Sequence, residues 1–250
     1  MHPYSGRVLT IVPVNGLPEI EVGADLAVLI RSHAELLDGD IVVVTSKVVS
    51  KAEGCAVELA DVVPSAFAEA WSARWNKDPR VVEIVLRESA RIVRQVNDVL
   101  ITETRHGFVC ANSGVDQSSS GASGRVLTLP PDPDASARHL RQGLQSDGVA
   151  VAVVITDTFG RPWREGQTDI AIGLAGMAPI RSYIGQHDPH GHEFRVQEIC
   201  VVDEIASAAE LVKGNTSRVP VAIVRGFEWE LDENATLAAV IRDASRDLFR

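Results

Sequence analysis

Hydrophobic positions along the chain follow two patterns that predict different elements. Continuous apolar runs at 41–44 (IVVV) and 151–155 (VAVVI) are typical of strands covered on both faces. Residues 24–37 repeat apolar positions at helical spacing, and helices are also predicted at 78–96 and 203–214. The strands are not evenly separated by helices, so the pattern does not predict a simple doubly wound sheet.

The remaining segments extend this alternation of strands and helices. Strands are predicted at 7–14 and in VPVAIVRG, and VLITET and FVCAN read as a hairpin around RHG. A helix is predicted in PPDPDASARHLRQGLQ and a last one in ATLAAVIRDASRDLF. Asp78 is expected to cap the helix at 78–96, with Pro79 in its first turn. The serine- and glycine-rich residues 115–124 read as a loop.

Composition and charge narrow the class of protein. The 250 residues are 45% hydrophobic, which suffices for one large domain or two small ones. The net charge of -10 argues against nucleic acid or an anionic membrane as the main partner. The N-terminus lacks a signal-peptide pattern and no apolar run could span a bilayer, so we predict a cytoplasmic protein. The three cysteines are widely spaced, and no disulfide framework is expected.

The segment VVVTSKVVSKAEG at 42–54 places hydroxyls and lysines at regular spacing. Ser46 and Ser50 are four residues apart, and so are Lys47 and Lys51. This spacing puts each pair on one face of either a helix or a strand. Such a basic face suits phosphate groups, and a solvated edge with extended lysines is the alternative. The chain contains no GxxxxGK[ST] motif, so a P-loop is not expected.

A second cluster lies in VVITDTFGRPWREGQTD at 153–169. Asp157 and Thr158 are predicted to leave the end of a buried strand, where an oxygen pair suits Mg²⁺ or Mn²⁺. Arg161 and Arg164 are candidates to hold a phosphate or a carboxylate, and Trp163 is a candidate for burial. The alternative is a capping aspartate followed by a surface loop.

Three further groups of polar residues have competing interpretations. Asp116 in NSGVDQSSSG is either a hard-cation ligand or the start of an Asx-turn. Asp203 and Glu204 are at a helix start, where acids stabilise the helix dipole. The histidines of GQHDPHGHEF at 185–194 suggest zinc by composition, but Pro189 and Gly191 favour a surface turn.

Taken together, these motifs resemble one known family. The segments LPEI, DGDIVVVTSKVVSKAEG, LITETRHGFVCANSGVD, VVITDTFGRPWREGQTDIAIG and VVDEIASAAELVKG occur in order over nearly the whole chain. They resemble the coenzyme F420-0:L-glutamate ligase family, also called F420:gamma-glutamyl ligase. The resemblance implies a homodimer with a mixed α/β fold rather than a P-loop fold. In actinobacteria the similar domain precedes a nitroreductase-like flavin domain, and we expect residues 1–250 to form one functional unit without that second domain.

The resemblance also implies an activity. Such enzymes use GTP to convert the terminal carboxylate of coenzyme F420-0 into an acyl phosphate, which the amino group of L-glutamate attacks. Further glutamates are joined through their γ-carboxylates. Two divalent ions, Mg²⁺ or Mn²⁺, and K⁺ are the implied cofactors. The alternatives are a metal-dependent phosphohydrolase and a nucleotide-binding module without catalysis.

The family motifs carry specific roles over to residues of this chain. They imply metal binding by Asp116, Asp157 and Thr158, with Asp116, Asp157 and Lys51 as the catalytic set. They imply contacts with the guanine nucleotide by Leu17, Pro18, Glu19, Ile20, Ser46, Lys51 and Ser119. Ser119 departs from the family pattern GVDxSN, in which an asparagine occupies this position. A serine retains a hydrogen-bonding group there, with shorter reach.

Overall fold

A computed structural model describes residues 8–117 and 124–247. Its helices are α1 (Leu26–His33), α2 (Ser46–Ala52), α3 (Ala66–Trp75), α4 (Pro79–Arg87), α5 (Pro133–Leu144) and α6 (Val201–Lys213). Its strands are β1 (Thr10–Pro13), β2 (Ile41–Thr45), β3 (Ala56–Glu58), β4 (Ser89–Val96), β5 (Val99–Thr104), β6 (Val109–Ala111), β7 (Arg125–Leu127), β8 (Ala152–Arg161), β9 (Arg164–Met177), β10 (Ile180–Ser182), β11 (Glu198–Cys200), β12 (Val221–Arg225) and β13 (Leu231–Asp232). No helix among these residues is long and apolar enough to cross a membrane.

A six-stranded sheet forms the centre of the molecule, with the strand order β1-β12-β2-β8-β9-β13. β2 and β8 are parallel, whereas the other neighbouring pairs of this sheet are antiparallel. The apolar runs 41–44 and 151–155 are completely buried, as their composition predicted. The mixed strand directions confirm a mixed α/β fold that is not a doubly wound parallel sheet.

Two acidic residues attach helices to β9. In the first turn of α5, Asp134 accepts the backbone N–H of Leu174 at 2.9 Å. In the first turn of α6, Asp203 accepts the backbone N–H of Ala171 at 3.0 Å. The β8–β9 register shifts next to Ala171, and Asp203 thereby satisfies a donor at the irregular part of the ladder.

Gly173 on β9 allows α5 to approach the sheet backbone. A Cβ at this position would lie 2.4 Å from the carbonyl oxygen of Pro133. That distance is far inside van der Waals contact, and a larger residue would have to move the start of α5. The close approach fixes the helix against the same strand that carries Asp169.

A smaller group of elements packs beside the central sheet. The antiparallel strands β4, β5 and β6 form their own sheet, and α3 and α4 contribute to two separate hydrophobic clusters. The hairpin predicted from VLITET and FVCAN is confirmed as β5 and β6. Asp78 caps α4 by accepting the N–H of Arg80, and Pro79 is the first helical residue, both as predicted.

The predicted helix at 78–96 is wrong beyond Arg87. The helix stops at Glu88, and residues 89–96 form β4, which pairs with β5. After Glu88 the backbone forms its hydrogen bonds with β5 rather than with a preceding helical turn. The predicted last helix is also wrong, since residues 235–247 contain only short 3₁₀ turns at Leu237–Ala239 and Ala244–Arg246.

The strand that carries Asp157 is longer than its apolar run predicted. β8 continues through Asp157 and Thr158 to Arg161 and returns immediately as β9, so these residues lie within a hairpin rather than in a loop. Trp163 occupies the tight turn with a φ of 58° and is 79% exposed, which contradicts its predicted burial. Residues 160–167 are exposed and form an extended arm of the sheet.

Candidate active site

A cleft of about 380 Å³ opens where β2 passes into α2 and where α6 ends. Four cationic side chains line it, Lys47, Lys51, Lys213 and Arg218, against the two acids Glu19 and Glu210. Three of these cations are paired with acids of the protein: Lys51 with Glu19, Lys47 with Asp116 and Lys213 with Asp169. Six residues predicted to contact the nucleotide or a metal also line the cleft: Leu17, Pro18, Glu19, Ile20, Lys51 and Thr158.

The segment at 42–54 forms the end of β2 and then helix α2. The helical geometry settles the alternative that the four-residue spacing left open, and it places Lys47 and Lys51 on the cleft side. The Nζ atom of Lys51 forms an ion pair with Glu19. Its hydrogen bond and charge, with help from the charge of Arg218, lower the pKa of the Glu19 carboxyl. Glu19 is therefore an anion at neutral pH.

The two aspartates predicted to bind metal both contact the first turn of α2. The hydroxyl of Ser46 donates a hydrogen bond to Oδ1 of Asp157 at 2.9 Å. Lys47 Nζ lies 2.8 Å from Oδ2 of Asp116. Asp116 is tied to β7 by paired backbone hydrogen bonds with Leu127. Asp116 and Asp157, which are distant in the sequence, are thus held beside one another at the same helix start.

Burial raises the pKa of Asp157 to about 6. The neighbouring negative charges of Asp169 and Asp116 act in the same direction, whereas hydrogen bonds from Ser46 and from the Thr158 backbone oppose it. When Asp157 is ionised, the protein places too little positive charge near it to offset its burial. A bound cation would supply that charge.

Thr158 is fixed by a buried network that the sequence did not reveal. Its hydroxyl donates to Oδ1 of Asp169 at 2.6 Å, while Oδ2 of Asp169 accepts from Thr156 at 3.0 Å and from Lys213 at 2.8 Å. Asp169 and Lys213 are each only 2% exposed. The burial of Lys213 could not be inferred from the sequence, because its partner Asp169 is 44 residues away.

The described residues fit a divalent cation bound together with phosphate. They contain no group of three or more histidine, cysteine or acidic side chains arranged to enclose a metal. They do place the Asp157 carboxylate against the Ser46 hydroxyl and the Asp116 carboxylate against Lys47, while Thr158, on the opposite face of β8, lines the cleft. Mg²⁺ typically takes one or two protein carboxylates and completes its shell with water and substrate phosphates. This donor set fits that pattern better than an all-protein cage.

Several other predicted residues lie outside this arrangement. Ser119 falls outside the described residues, so its predicted nucleotide contact stays a prediction. Arg161 and Arg164 are exposed on the β8–β9 hairpin and do not line the cleft, and Arg161 donates instead to the Glu165 carbonyl oxygen at 3.3 Å. In the histidine-rich segment, Asp188 accepts backbone N–H groups of the turn, in agreement with a surface turn.

The fold and the cleft define a mixed α/β protein whose cleft is lined by lysines, Arg218 and acids and whose sequence contains no P-loop motif. The family model for F420-0:gamma-glutamyl ligase matches residues 16–226. The chain belongs to this F420-0:gamma-glutamyl ligase family.

Relatives named coenzyme F420:L-glutamate ligase support this membership along nearly the full chain. The protein from Methanopyrus kandleri is 47% identical over 97% of this chain and 98% of its own length. The protein from Methanothermobacter thermautotrophicus is 41% identical over 97% of this chain and 99% of its own length. The protein from Halobacterium salinarum is 44% identical, with 86% of each chain covered.

Proposed function

We propose that this protein ligates L-glutamate to coenzyme F420-0 at the expense of GTP and then adds further γ-linked glutamates. Membership of the ligase family supports the overall reaction. The observation that carries the proposal is the convergence of Asp116 and Asp157 on the first turn of α2, where Asp157 contacts Ser46 and Asp116 contacts Lys47, while Lys51 follows in the last turn of the same helix. Transfer of a phosphoryl group to a carboxylate requires acids that bind cations and lysines that bind phosphates.

The nucleotide is assigned to the part of the cleft between residues 17–20 and α2. Lys51 and Arg218 supply positive charge for its phosphates, whereas Ser46, also predicted to contact the nucleotide, is buried and donates its hydroxyl hydrogen to Asp157. Glu19 is ionised and 81% exposed on its side chain. A carboxylate is a suitable acceptor for the N–H groups on the edge of guanine, which adenine does not present in the same pattern. This supports GTP as the co-substrate.

The reaction then proceeds in two transfers. A carboxylate oxygen of F420-0 attacks the γ-phosphorus of GTP, and the bond from that phosphorus to the β–γ bridging oxygen breaks, releasing GDP. The neutral amine of L-glutamate next attacks the acyl carbon. The amine nitrogen loses a proton as the amide forms, and inorganic phosphate leaves with its bridging oxygen. The lysines and Arg218 of the cleft lower the repulsion between the two anionic reactants.

Asp116, Asp157 and Thr158 are the residues proposed to hold Mg²⁺ or Mn²⁺, with two ions in the complete site. When bound, these ions neutralise phosphate charge and align the reacting groups. In this arrangement Ser46 orients the Asp157 carboxylate through its 2.9 Å hydrogen bond. Lys47 restrains Asp116 in the same way from the next position of the helix.

Incubation of the purified protein with F420-0, GTP, L-glutamate and Mg²⁺ or Mn²⁺ tests the proposal. Mass spectrometry should detect a product heavier by one glutamyl unit, followed by longer species, with GDP formed in step. Release of GDP without a glutamylated product would refute ligation and favour a phosphohydrolase. Absence of nucleotide binding would contradict both the ligase and the phosphohydrolase. Replacing GTP by ATP serves as the control for base recognition.

The homodimer and the K⁺ requirement are proposed from the family resemblance. Light scattering during size-exclusion chromatography should give twice the chain mass of 26.9 kDa. Replacing K⁺ by Na⁺ at constant ionic strength should lower the rate of glutamate addition. A monomer that is fully active, or equal rates in the two salts, would contradict the respective proposal.

A further inference from the structure

Asp169 is a buried carboxylate that accepts hydrogen bonds from two hydroxyls and one ammonium group. Oδ1 accepts the hydroxyl of Thr158, at 2.6 Å, whereas Oδ2 accepts the Thr156 hydroxyl and the Lys213 ammonium. Lys213 also donates to the oxygen of Thr156 at 2.7 Å. Thr156 is completely buried, whereas Thr158 lines the cleft. The same carboxylate thus connects the interior of the protein with the cleft wall.

This bonding pattern determines what the Thr158 oxygen can offer to a ligand. A threonine hydroxyl has one hydrogen to donate and two lone pairs that can accept. Because the hydrogen is committed to Asp169, only lone pairs remain for the cleft. A hydroxyl held in this way can approach a cation. If its hydrogen faced the cleft, it would favour an anion instead.

Lys213 forms an ion pair with the buried carboxylate of Asp169. Its Nζ atom lies 2.8 Å from Asp169 and 3.9 Å from Glu210. A buried carboxylate without a positive partner would be costly, and this pair with its hydroxyl contacts satisfies both charges. The pairing leaves Oδ1 of Asp169 able to accept the hydroxyl of Thr158.

We propose that Asp169 is a positioning residue, which orients the Thr158 hydroxyl so that its oxygen binds a divalent cation in the cleft. This inference rests on the proposed function, because it concerns the cation site of that function. Outer groups that orient metal ligands are typically worth about ten- to a hundredfold in metal affinity or activity.

Direct measurement of Mn²⁺ affinity tests the inference without relying on turnover. Electron paramagnetic resonance would quantify free Mn²⁺ in titrations of the metal-free full chain with Mn²⁺ alone. In Asp169→Asn, the amide oxygen is expected to face the Lys213 charge. Its NH₂ group would then donate to Thr158 and turn that hydroxyl's hydrogen towards the cleft. We expect affinity to fall about tenfold, with a similar fall in Thr158→Val and near-normal binding in Thr158→Ser.

A double-mutant cycle separates orientation from a general effect of charge. Once Thr158→Val has removed the hydroxyl, Asp169→Asn should cause no further loss of Mn²⁺ affinity. Additive losses would overturn the inference while leaving the cation site intact. The matched control is Ser207→Ala, because Ser207 donates to the backbone oxygen of Asp169 at 2.9 Å and not to its carboxylate. Its Mn²⁺ affinity should equal that of the unmodified protein.

Two further results would also test the role of Asp169. If Asp169→Asn does not fold, the paired substitution with Lys213→Gln removes both buried charges together and should reproduce the loss of affinity. Normal affinity in that folded pair would overturn the inference. If the unmodified protein binds no Mn²⁺, the proposed cation site fails and this inference fails with it. That result differs from the additive cycle, in which the unmodified protein still binds.

Discussion

Asp157→Asn should stabilise the metal-free protein at neutral pH while abolishing ligation. Burial and nearby acids raise the pKa of Asp157 from 3.8 to about 6. The native state then binds this proton more tightly than the unfolded state, so ionisation lowers stability as the pH rises from about 4 to 6. A shift of about two pKa units corresponds to about 3 kcal/mol at pH values above 7. Asparagine remains neutral and can still accept the Ser46 hydrogen bond.

Denaturant unfolding with a chelator present measures this effect. The free energy of unfolding of Asp157→Asn should exceed that of the unmodified protein by about 3 kcal/mol near pH 7.5, and the gain should shrink towards zero near pH 4. Asp188→Asn is a control of opposite sign, because backbone N–H groups, first that of His192, lower the pKa of Asp188. A pH-independent difference at position 157, or a loss of stability at neutral pH, would refute the reasoning. Retained ligation would refute the metal assignment.

Three other substitutions have defined expectations. Lys213→Met leaves Asp169 as an unpaired buried carboxylate and should lower the free energy of unfolding by about 3–5 kcal/mol in denaturant titrations, and an unchanged midpoint would contradict the buried pair. Gly173→Ala forces a Cβ against the Pro133 backbone and should cost about 1–3 kcal/mol in the same assay; equal stability would contradict the close approach. Lys51→Ala should weaken GTP binding about tenfold or more by calorimetry, with folding unchanged, and undiminished affinity would remove Lys51 from the phosphate site.

The central sheet could be predicted because its signals are local. Runs such as 41–44 and 151–155 are apolar at every position, and burial on both faces follows directly from that composition. Spacing alone could not decide whether Lys47 and Lys51 share a helix or a strand, since a spacing of four satisfies both. The helix predicted at 78–96 was wrong over residues 89–96, because the pairing of β4 with β5 overrides the local periodicity.

The candidate site was predictable only in part, for a related reason. Asp157 and Lys51 stand out as polar residues beside buried strands, and the cleft brings Lys51 together with residues 17–20. The pair of Asp169 and Lys213 could not be found in this way, because each residue has an ordinary local explanation. Their burial depends on the contact between β9 and α6, which only the three-dimensional structure provides.

The most direct test of the proposed chemistry follows one oxygen atom. F420-0 carrying heavy oxygen in its terminal carboxylate would be incubated with GTP, L-glutamate and Mg²⁺, and the released phosphate would be examined by mass spectrometry. An acyl phosphate transfers one carboxylate oxygen to phosphate, so each amide formed should yield one labelled phosphate. Glutamylated product accompanied by unlabelled phosphate would contradict the acyl-phosphate mechanism.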